Sequence, residues 1–354
     1  MTASAEEEKQ YKASWKRLTL FSLLFILLTV AGFYAIYDHF SGRSLTFDAR
    51  LLSPPVIGAV LLLLGIYFTA DGLRLYYTLR ALGYRIPKKA MAKLVFINIF
   101  FSNITPMATG GGFAQVWFLH EHGVPIGRAT AATTIRTVLA IFFIFSLTPL
   151  FLLTLKPLQD EAIIGDIGAA LAVLIVLYLL FFAIVLLRAH WLIGPLSYLC
   201  KGIHKLRLIS PERHLRWQYK TRREMLRFSR SFSEYCRGSK MAIALSVFFT
   251  FIFLLSLFSF PALLMWGLDY NVDYLVSVGL LVVTTFIMYF APTPGASGIS
   301  EGVFGSFFND ILANQHLLLV TFSWRFLTIY LGMLLGLVIL QRYLVQSAKV
   351  RVTQ

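Results

Sequence analysis

The chain has 354 residues, 58% of them hydrophobic and only 14% charged, with a formal net charge of +15. A mean hydropathy of +0.72 excludes an ordinary soluble domain, whose segments would alternate polar and apolar faces. Apolar runs of about 20 residues, long enough to cross a bilayer core, point instead to an all-α polytopic membrane protein.

Residues 1–17 read as a cytoplasmic N-terminus, because Lys9, Lys12, Lys16 and Arg17 precede the first span and cytoplasmic segments hold the excess of Lys and Arg. The first span runs from about Leu18 to Tyr37, with no small-residue cleavage site of the kind that ends a signal peptide. The second runs from about Pro55 to Arg80, with prolines at its start, where a missing N–H costs least. A third apolar region, Met91 to Leu119, is broken by Asn103-Ile104-Thr105-Pro106-Met107-Ala108-Thr109-Gly110-Gly111-Gly112. Spans at Ala129 to Leu155, Ile167 to Leu187 and Met241 to Trp266 follow. Another interrupted region, Tyr274 to Phe308, contains Ala291-Pro292-Thr293-Pro294-Gly295-Ala296-Ser297-Gly298, and Leu317 to Leu344 is the last span.

Charge decides sidedness. The segment Arg188 to Lys240 holds thirteen Lys and Arg against Glu212, Glu224 and Glu234, and Arg74 to Lys93 holds six more cations. Both segments and the tail 345–354 fall on the cytoplasmic side only if each interrupted region enters and leaves on one side. Treating both as full spans would place the thirteen-cation loop outside. The expected architecture is therefore two inverted-topology repeats, 18–155 and 156–344, each with three spanning helices and one re-entrant helical hairpin, at about 91–120 and 274–308. Residues 188–240 form a cytoplasmic loop in which Trp191, Leu192, Leu196, Leu199, Ile203 and Leu206 have the spacing of a basic amphipathic helix on anionic lipid headgroups. That loop is too short to offer a nucleic-acid reading surface.

The breaks are followed at nearly equal distances by an intramembrane arginine: Pro106 to Arg136 is 30 positions and Pro294 to Arg325 is 31. Paired discontinuous helices mark the binding site of transporters built from repeats, and ionisable groups at membrane depth are functional candidates. Arg136 lies about 12–16 Å into its span at roughly 1.5 Å per residue, and Arg325 enters to a similar depth from the other face. A guanidinium suits phosphate, so both are candidates for holding an anionic group; Glu301 is a further substrate-binding candidate, for a lysyl-type amine or a proton if unpaired, or a scaffold residue if it pairs with Arg325. Asn103, Pro106, Gly110, Gly111, Pro294, Gly295 and Gly298 form the two tips, where exposed N–H groups could make an anion nest. Asp71 and Arg74, three apart on one helical face, read as a secondary, local ion pair.

His120 and His122 flank Glu121 without further ligands, so no metal is expected, and no cofactor either. Cys200 and Cys236 lie in the basic loop and form no metal-binding spacing. Walker A, Gly-x-Ser-x-Gly and HExxH motifs are missing from the sequence, so there are no catalytic residues to name and the chain is not expected to be an enzyme.

The motifs Asn103 and Pro106 with Gly110-Gly111, Gly123-Val124 followed by Arg136, and Pro292-x-Pro294-Gly295-x-x-Gly298-x-x-Glu301 followed by Arg325 resemble the flippase-like membrane-region family of the lysylphosphatidylglycerol synthases, the membrane half of the multiple peptide resistance factor. The resemblance covers essentially the whole chain. Members of that family often carry an acid just after the first Gly-Gly and an arginine three residues later, places held here by Gly112 and Gln115. The resemblance implies translocation of an anionic or aminoacylated phospholipid or of a polyprenyl-phosphate-type lipid across a prokaryotic plasma membrane. With no aminoacyl-transferase domain after Gln354, the expectation is a stand-alone flippase or scramblase with both termini cytoplasmic, its partners being the lipid substrate and, compatibly, further copies of itself. A membrane enzyme or subunit acting on lipid-linked sugars and a non-transporting scaffold are the alternatives.

Cysteines introduced at Asp160 and Asn314 are expected to react with an impermeant maleimide from outside, and one at Ser210 only from the cytoplasm. External labelling at Ser210 would overturn the assigned orientation.

Overall fold

A computed structural model describes residues 47–105, 108–159 and 230–352, with isolated helical positions within 23–34 and 173–180. Most of the expected spans Leu18 to Tyr37 and Ile167 to Leu187, most of the basic loop with its amphipathic helix, and Pro106 lie outside the described residues.

The described chain is helical throughout. Four helices or helix pairs are long and apolar enough to cross a membrane: α1, Pro54–Ala81; α4, Ile126–Thr154; α5, Lys240–Gly267; and α8 with α9, which together span Asn314–Leu344. Four shorter helices, α2 (Lys88–Ile104), α3 (Thr109–Glu121), α6 (Tyr274–Met288) and α7 (Ile299–Phe308), have 17, 13, 15 and 10 residues, fewer than the ~20 a crossing needs. The protein is thus an all-α, multi-pass membrane protein. Its helices need no amphipathic stripe, because in lipid the apolar face may point either way while each helix satisfies its own backbone.

Local sequence sets the ends. Pro54 and Pro55 occupy the first turn of α1, where proline forfeits no hydrogen bond. Gly83 and Gly123 adopt positive φ just after α1 and α3, and Tyr84 N–H and Val124 N–H reach back to the carbonyls of Leu79 and Leu119. These are Schellman closures, which glycine permits at no steric cost. The expected last span is broken after Arg325 by a single π-turn, Phe326–Tyr330, that separates α8 from α9 (Leu331–Val352).

Contacts assign each helix end to one of two poles. At the basic pole, Gly238 packs against the Ala81 carbonyl and Arg128 pairs with Glu234. The end of α1, the α3–α4 turn and the start of α5 therefore meet there. At the opposite pole Arg50 Nη1 donates to Leu268 O at 2.9 Å and to Asp269 at 3.0 Å, and His316 Nε2 lies 3.4 Å from Asp48. Tyr270 hydroxyl bonds both His316 and the Ala313 N–H. The Arg50 side chain and backbone N–H hold the Asp48 carboxyl well below the usual carboxylate range. α1 and α5 consequently run antiparallel along their full lengths. The α2–α3 pair begins and ends at the basic pole, and the α6–α7 pair begins and ends at the opposite one.

Two apolar clusters fill the bundle. One joins α6, α7 and α8 to the Arg50-side halves of α1, α4 and α5. The other joins α2, α3 and α9 to the basic-side halves of α1 and α4. α9 crosses α2 so closely that a Cβ on Gly336 would collide with the Phe96 backbone carbonyl. Gly336→Leu is expected to push α9 off α2 and cost about 1–3 kcal/mol, as overpacking does, read as a lowered unfolding temperature in detergent. Leu334 and Val338 on the same helix are exposed, so Val338→Leu serves as the silent control.

Candidate functional site

The two clusters leave a layer between them where α1, α4 and α8 carry their buried charged groups. On α1 the first cluster ends at Ala70 and the second begins at Leu75, and Asp71 and Arg74 fall between. On α4 the same switch falls between Ile135 and Ala140, with Arg136 at its edge. On α8–α9 it falls between Trp324 and Tyr330, with Arg325 there. At 1.5 Å per residue Asp71 and Arg136 sit roughly 15 Å from the basic-pole ends of their helices, near mid-depth.

Asp71, Arg74 and Arg136 are 3%, 6% and 7% exposed. Asp71 Oδ1 accepts from Arg74 Nε at 2.8 Å, from Arg74 Nη2 at 2.5 Å and from Arg136 Nη2 at 2.5 Å. The local Asp71–Arg74 pair expected from the sequence is present, and Arg136, 65 positions away, joins it. One carboxylate thus serves two guanidinium groups. Arg74 also lies over the Phe253 ring, 3.6 Å from its centroid, a cation–π contact that partly replaces its lost hydration.

A second charged unit lies at the other tip. Glu301 and Arg325 are 0% and 1% exposed and their Oε1 and Nε are 2.9 Å apart. Glu301 Oε2 reaches back to the Gly298 N–H at 2.7 Å and accepts from Ser300 Oγ at 2.8 Å, the return arm of a capping box at the start of α7. Arg325 Nη2 donates to Gly295 O at 2.5 Å. The pairing expected for Arg325 is therefore in place, and it ties α8 to the turn Pro294–Ala296. A π-turn directly after such a residue is a common mark of a functional position.

The interrupted tips meet here. The turn Pro294–Ala296 packs on α2, and Asn103 Oδ1 lies 3.1 Å from where a side chain on Gly295 would begin. A cavity of about 540 Å³ is walled by Asn103, Ala108 and Gly112 of the first tip, Thr293 and Gly295 of the second, and Arg74 and Arg136 between them. An adjoining cavity of about 210 Å³ brings Asp71, Arg74 and Arg136 to the same wall as Arg325.

The other residues expected at the tips have packing or capping roles. Gly110 and Gly111 press against Thr105 and against Asn98 and Ser102, and the Gly110 N–H donates to Thr105 Oγ1 at 2.8 Å. The Gly298 N–H is taken by Glu301. The expected nest of exposed glycine N–H groups is thus already filled at these two positions by the protein's own oxygens. Pro294 opens the short turn. His120 and His122 turn to the backbone carbonyls of Val124 and Phe118. Residues that sequence reasoning passed over also line the larger cavity: Asn98, Ser102, Gln115, Thr133, Thr137 and Thr285. Their signal was a polar residue recurring at i, i+4 in an apolar helix, as in Asn98–Ser102 and Thr133–Thr137.

Removing the shared carboxylate should be more damaging than removing one of its cations. Asp71→Asn strands two guanidinium groups and is expected to cost on the order of 3–5 kcal/mol, whereas Arg136→Gln keeps the Asp71–Arg74 pair and should cost less. Thermal unfolding of both variants in the same detergent tests the order.

A family model described as the lysylphosphatidylglycerol synthase TM region matches residues 16–336. The chain is also 21% identical over 271 residues to a UPF0104 membrane protein of Archaeoglobus fulgidus, an alignment covering 76% of this chain and 81% of that one. With the family match running through both helix interruptions and all five buried charges, the chain belongs to the lysylphosphatidylglycerol synthase TM region family.

Proposed function

We propose that the protein is a lipid flippase or scramblase that carries the headgroup of an anionic lipid through the mid-depth cavity while the acyl chains stay in the bilayer. The observation that carries this reading is the charge at the cavity wall and just behind it: Arg74, Arg136 and Arg325 line the smaller cavity with Asp71, Arg74 and Arg136 share one oxygen of Asp71, and Arg325 is backed by Glu301. An uncompensated cation at that depth is costly unless a mobile anion can visit it. Membership of a family named for a lipid-modifying synthase supports a lipid as the visitor.

The alternating-access frame follows from reading 54–154 and 240–344 as inverted repeats. Helix neighbours support it pairwise. α1 packs on α5; α2 packs on α9 as α6 packs on α4; and the α1–α4 contact is matched by α5–α8. α2–α3 opens toward the basic pole and α6–α7 toward the other, as two re-entrant hairpins dipping from opposite faces would. Such repeats move by rocking one bundle against the other about a fixed central site. The basic pole is read as cytoplasmic, in a prokaryotic plasma membrane, and no chemical step is assigned to the site.

Reconstituted in vesicles with a fluorescent anionic phospholipid, the protein should accelerate exchange between leaflets, assayed by dithionite quenching. Arg136→Gln should slow that exchange at least ~10-fold, a loss of about 1.4 kcal/mol or more in binding, and Arg136→Lys should restore only part, since a point charge cannot reproduce bidentate contacts. Arg136→Gln and Arg325→Gln both at the parental rate, with folding verified by size exclusion, would refute the reading.

A further inference from the structure

The cavity walls say more than a preference for negative charge. Among the described residues, Asp71 is the one carboxylate lining either cavity, and it is held by Arg74 and Arg136. Glu301 is committed to Arg325, to the Gly298 N–H and to the Ser300 hydroxyl. Both acids are thus offset by arginines, and neither offers an ammonium an uncompensated negative charge.

Glu301 Oε1 has no hydrogen bond but faces Arg325 Nε at 2.9 Å, whereas several guanidinium donors face no carboxylate at all. Arg74 Nη1, Arg136 Nε and Arg325 Nη1 are buried without a hydrogen-bond partner among the described residues, and all three arginines line the smaller cavity. A buried donor without a partner is expensive, so these groups mark where acceptor oxygens belong. The remaining polar wall is neutral. Thr133, Thr137 and Thr293 spend their hydroxyl protons on the backbone carbonyls of Thr130, Thr133 and Ser297, which leaves lone pairs to accept from a ligand hydroxyl. Asn98 and Gln115 add amides that both donate and accept. Charged donors on one side and neutral donors and acceptors on the other suit a phosphodiester attached to an uncharged, hydroxyl-rich group. An ammonium in the same space would face an excess of guanidinium charge with no carboxylate to offset it.

We propose that the headgroup taken by this site is a phosphodiester bearing an uncharged polyhydroxy group (glycerol, inositol or a sugar), and that headgroups carrying an ammonium are rejected. The proposal rests on the translocation reading for its biological sense and is tested apart from it, by binding. Trp324 lines the smaller cavity and serves as an intrinsic fluorescence reporter in the full-length protein held in nanodiscs. Short-chain phosphatidylglycerol and phosphatidylserine carry the same net charge, but only the latter bears an ammonium. Phosphatidylglycerol and phosphatidylinositol should bind at least tenfold tighter than phosphatidylserine, phosphatidylethanolamine or lysylphosphatidylglycerol. Equal affinities, a reversed order, or no saturable binding of phosphatidylglycerol would overturn the proposal.

Gly112→Asp supplies a second arm. Gly112 lines the larger cavity and a Cβ there meets nothing within 4 Å, so a carboxylate fits without disturbing the fold. It should shrink the discrimination between phosphatidylglycerol and phosphatidylserine to a few-fold. Full retention of the parental preference in a folded Gly112→Asp protein would also overturn the proposal, because a missing carboxylate would then not be its cause. Leaflet exchange of the same lipids separates the two claims. Selective binding of phosphatidylglycerol without accelerated exchange defeats the transport reading alone, and accelerated exchange of all lipids with equal affinities defeats the headgroup proposal alone.

Discussion

Five charged side chains, Asp71, Arg74, Arg136, Glu301 and Arg325, are buried at the level where the two apolar clusters of the bundle separate. Taking ions out of water costs several kcal/mol each unless partners replace the lost hydration, and much of the architecture can be read as the arrangement that supplies those partners. α1 must bring Asp71 against α4 so that both arginines reach it. α8 must stop short of lipid with Arg325 against Glu301, and the turn at Gly295 must offer its carbonyl. The apolar clusters on either side exclude water and strengthen these interactions, since the same Coulomb attraction is larger at low effective dielectric.

The interrupted helices answer a related constraint. Non-helical backbone at mid-depth survives only where its N–H and C=O groups find protein or a watery cavity. Here the first tip uses Thr105 to cap Gly110, and the second uses Thr293, Ser297 and Glu301 to hold the turn from Pro294 to Gly298. With the Gly110 and Gly298 N–H groups already taken by protein oxygens, the described cavity wall presents mainly side-chain polar groups. In it, charged donors from α1, α4 and α8 face neutral amides and hydroxyls from α2, α3 and α4.

At the pole opposite the basic one, Asp48, Arg50, Asp269, Tyr270 and His316 knit the start of α1 to the end of α5 and the approach to α8. At the basic pole, the Arg128–Glu234 pair and the packing of Gly238 on Ala81 do the same for α4, α5 and α1. The central charges are thus held between two fastened ends. In the proposed rocking motion, the pole contacts are the ones that must exchange, while the shared Asp71 cluster stays with the pivot.

Much of this protein is legible one residue at a time. Apolar runs of bilayer length, proline at the start of α1, glycine after α1 and α3, and the Pro- and Gly-rich interruptions are local signals, and they determined the class and, among the described residues, the four long spans to within a few residues. The Asp71–Arg74 pair is local too, being three positions apart on one helix. What the chain order hides is that Arg136 shares the Asp71 carboxylate across 65 positions, which turns a neutral ion pair into a cluster with an excess cation. Equally hidden is that the Gly110 and Gly298 N–H groups are consumed by neighbouring oxygens, which in the proposed site leaves the guanidinium groups rather than those backbone donors to meet an anion. Both depend on which helix faces packed together, and in an apolar helix with no amphipathic stripe the sequence carries little record of facing. Tertiary structure alone decided that the charges meet at one wall.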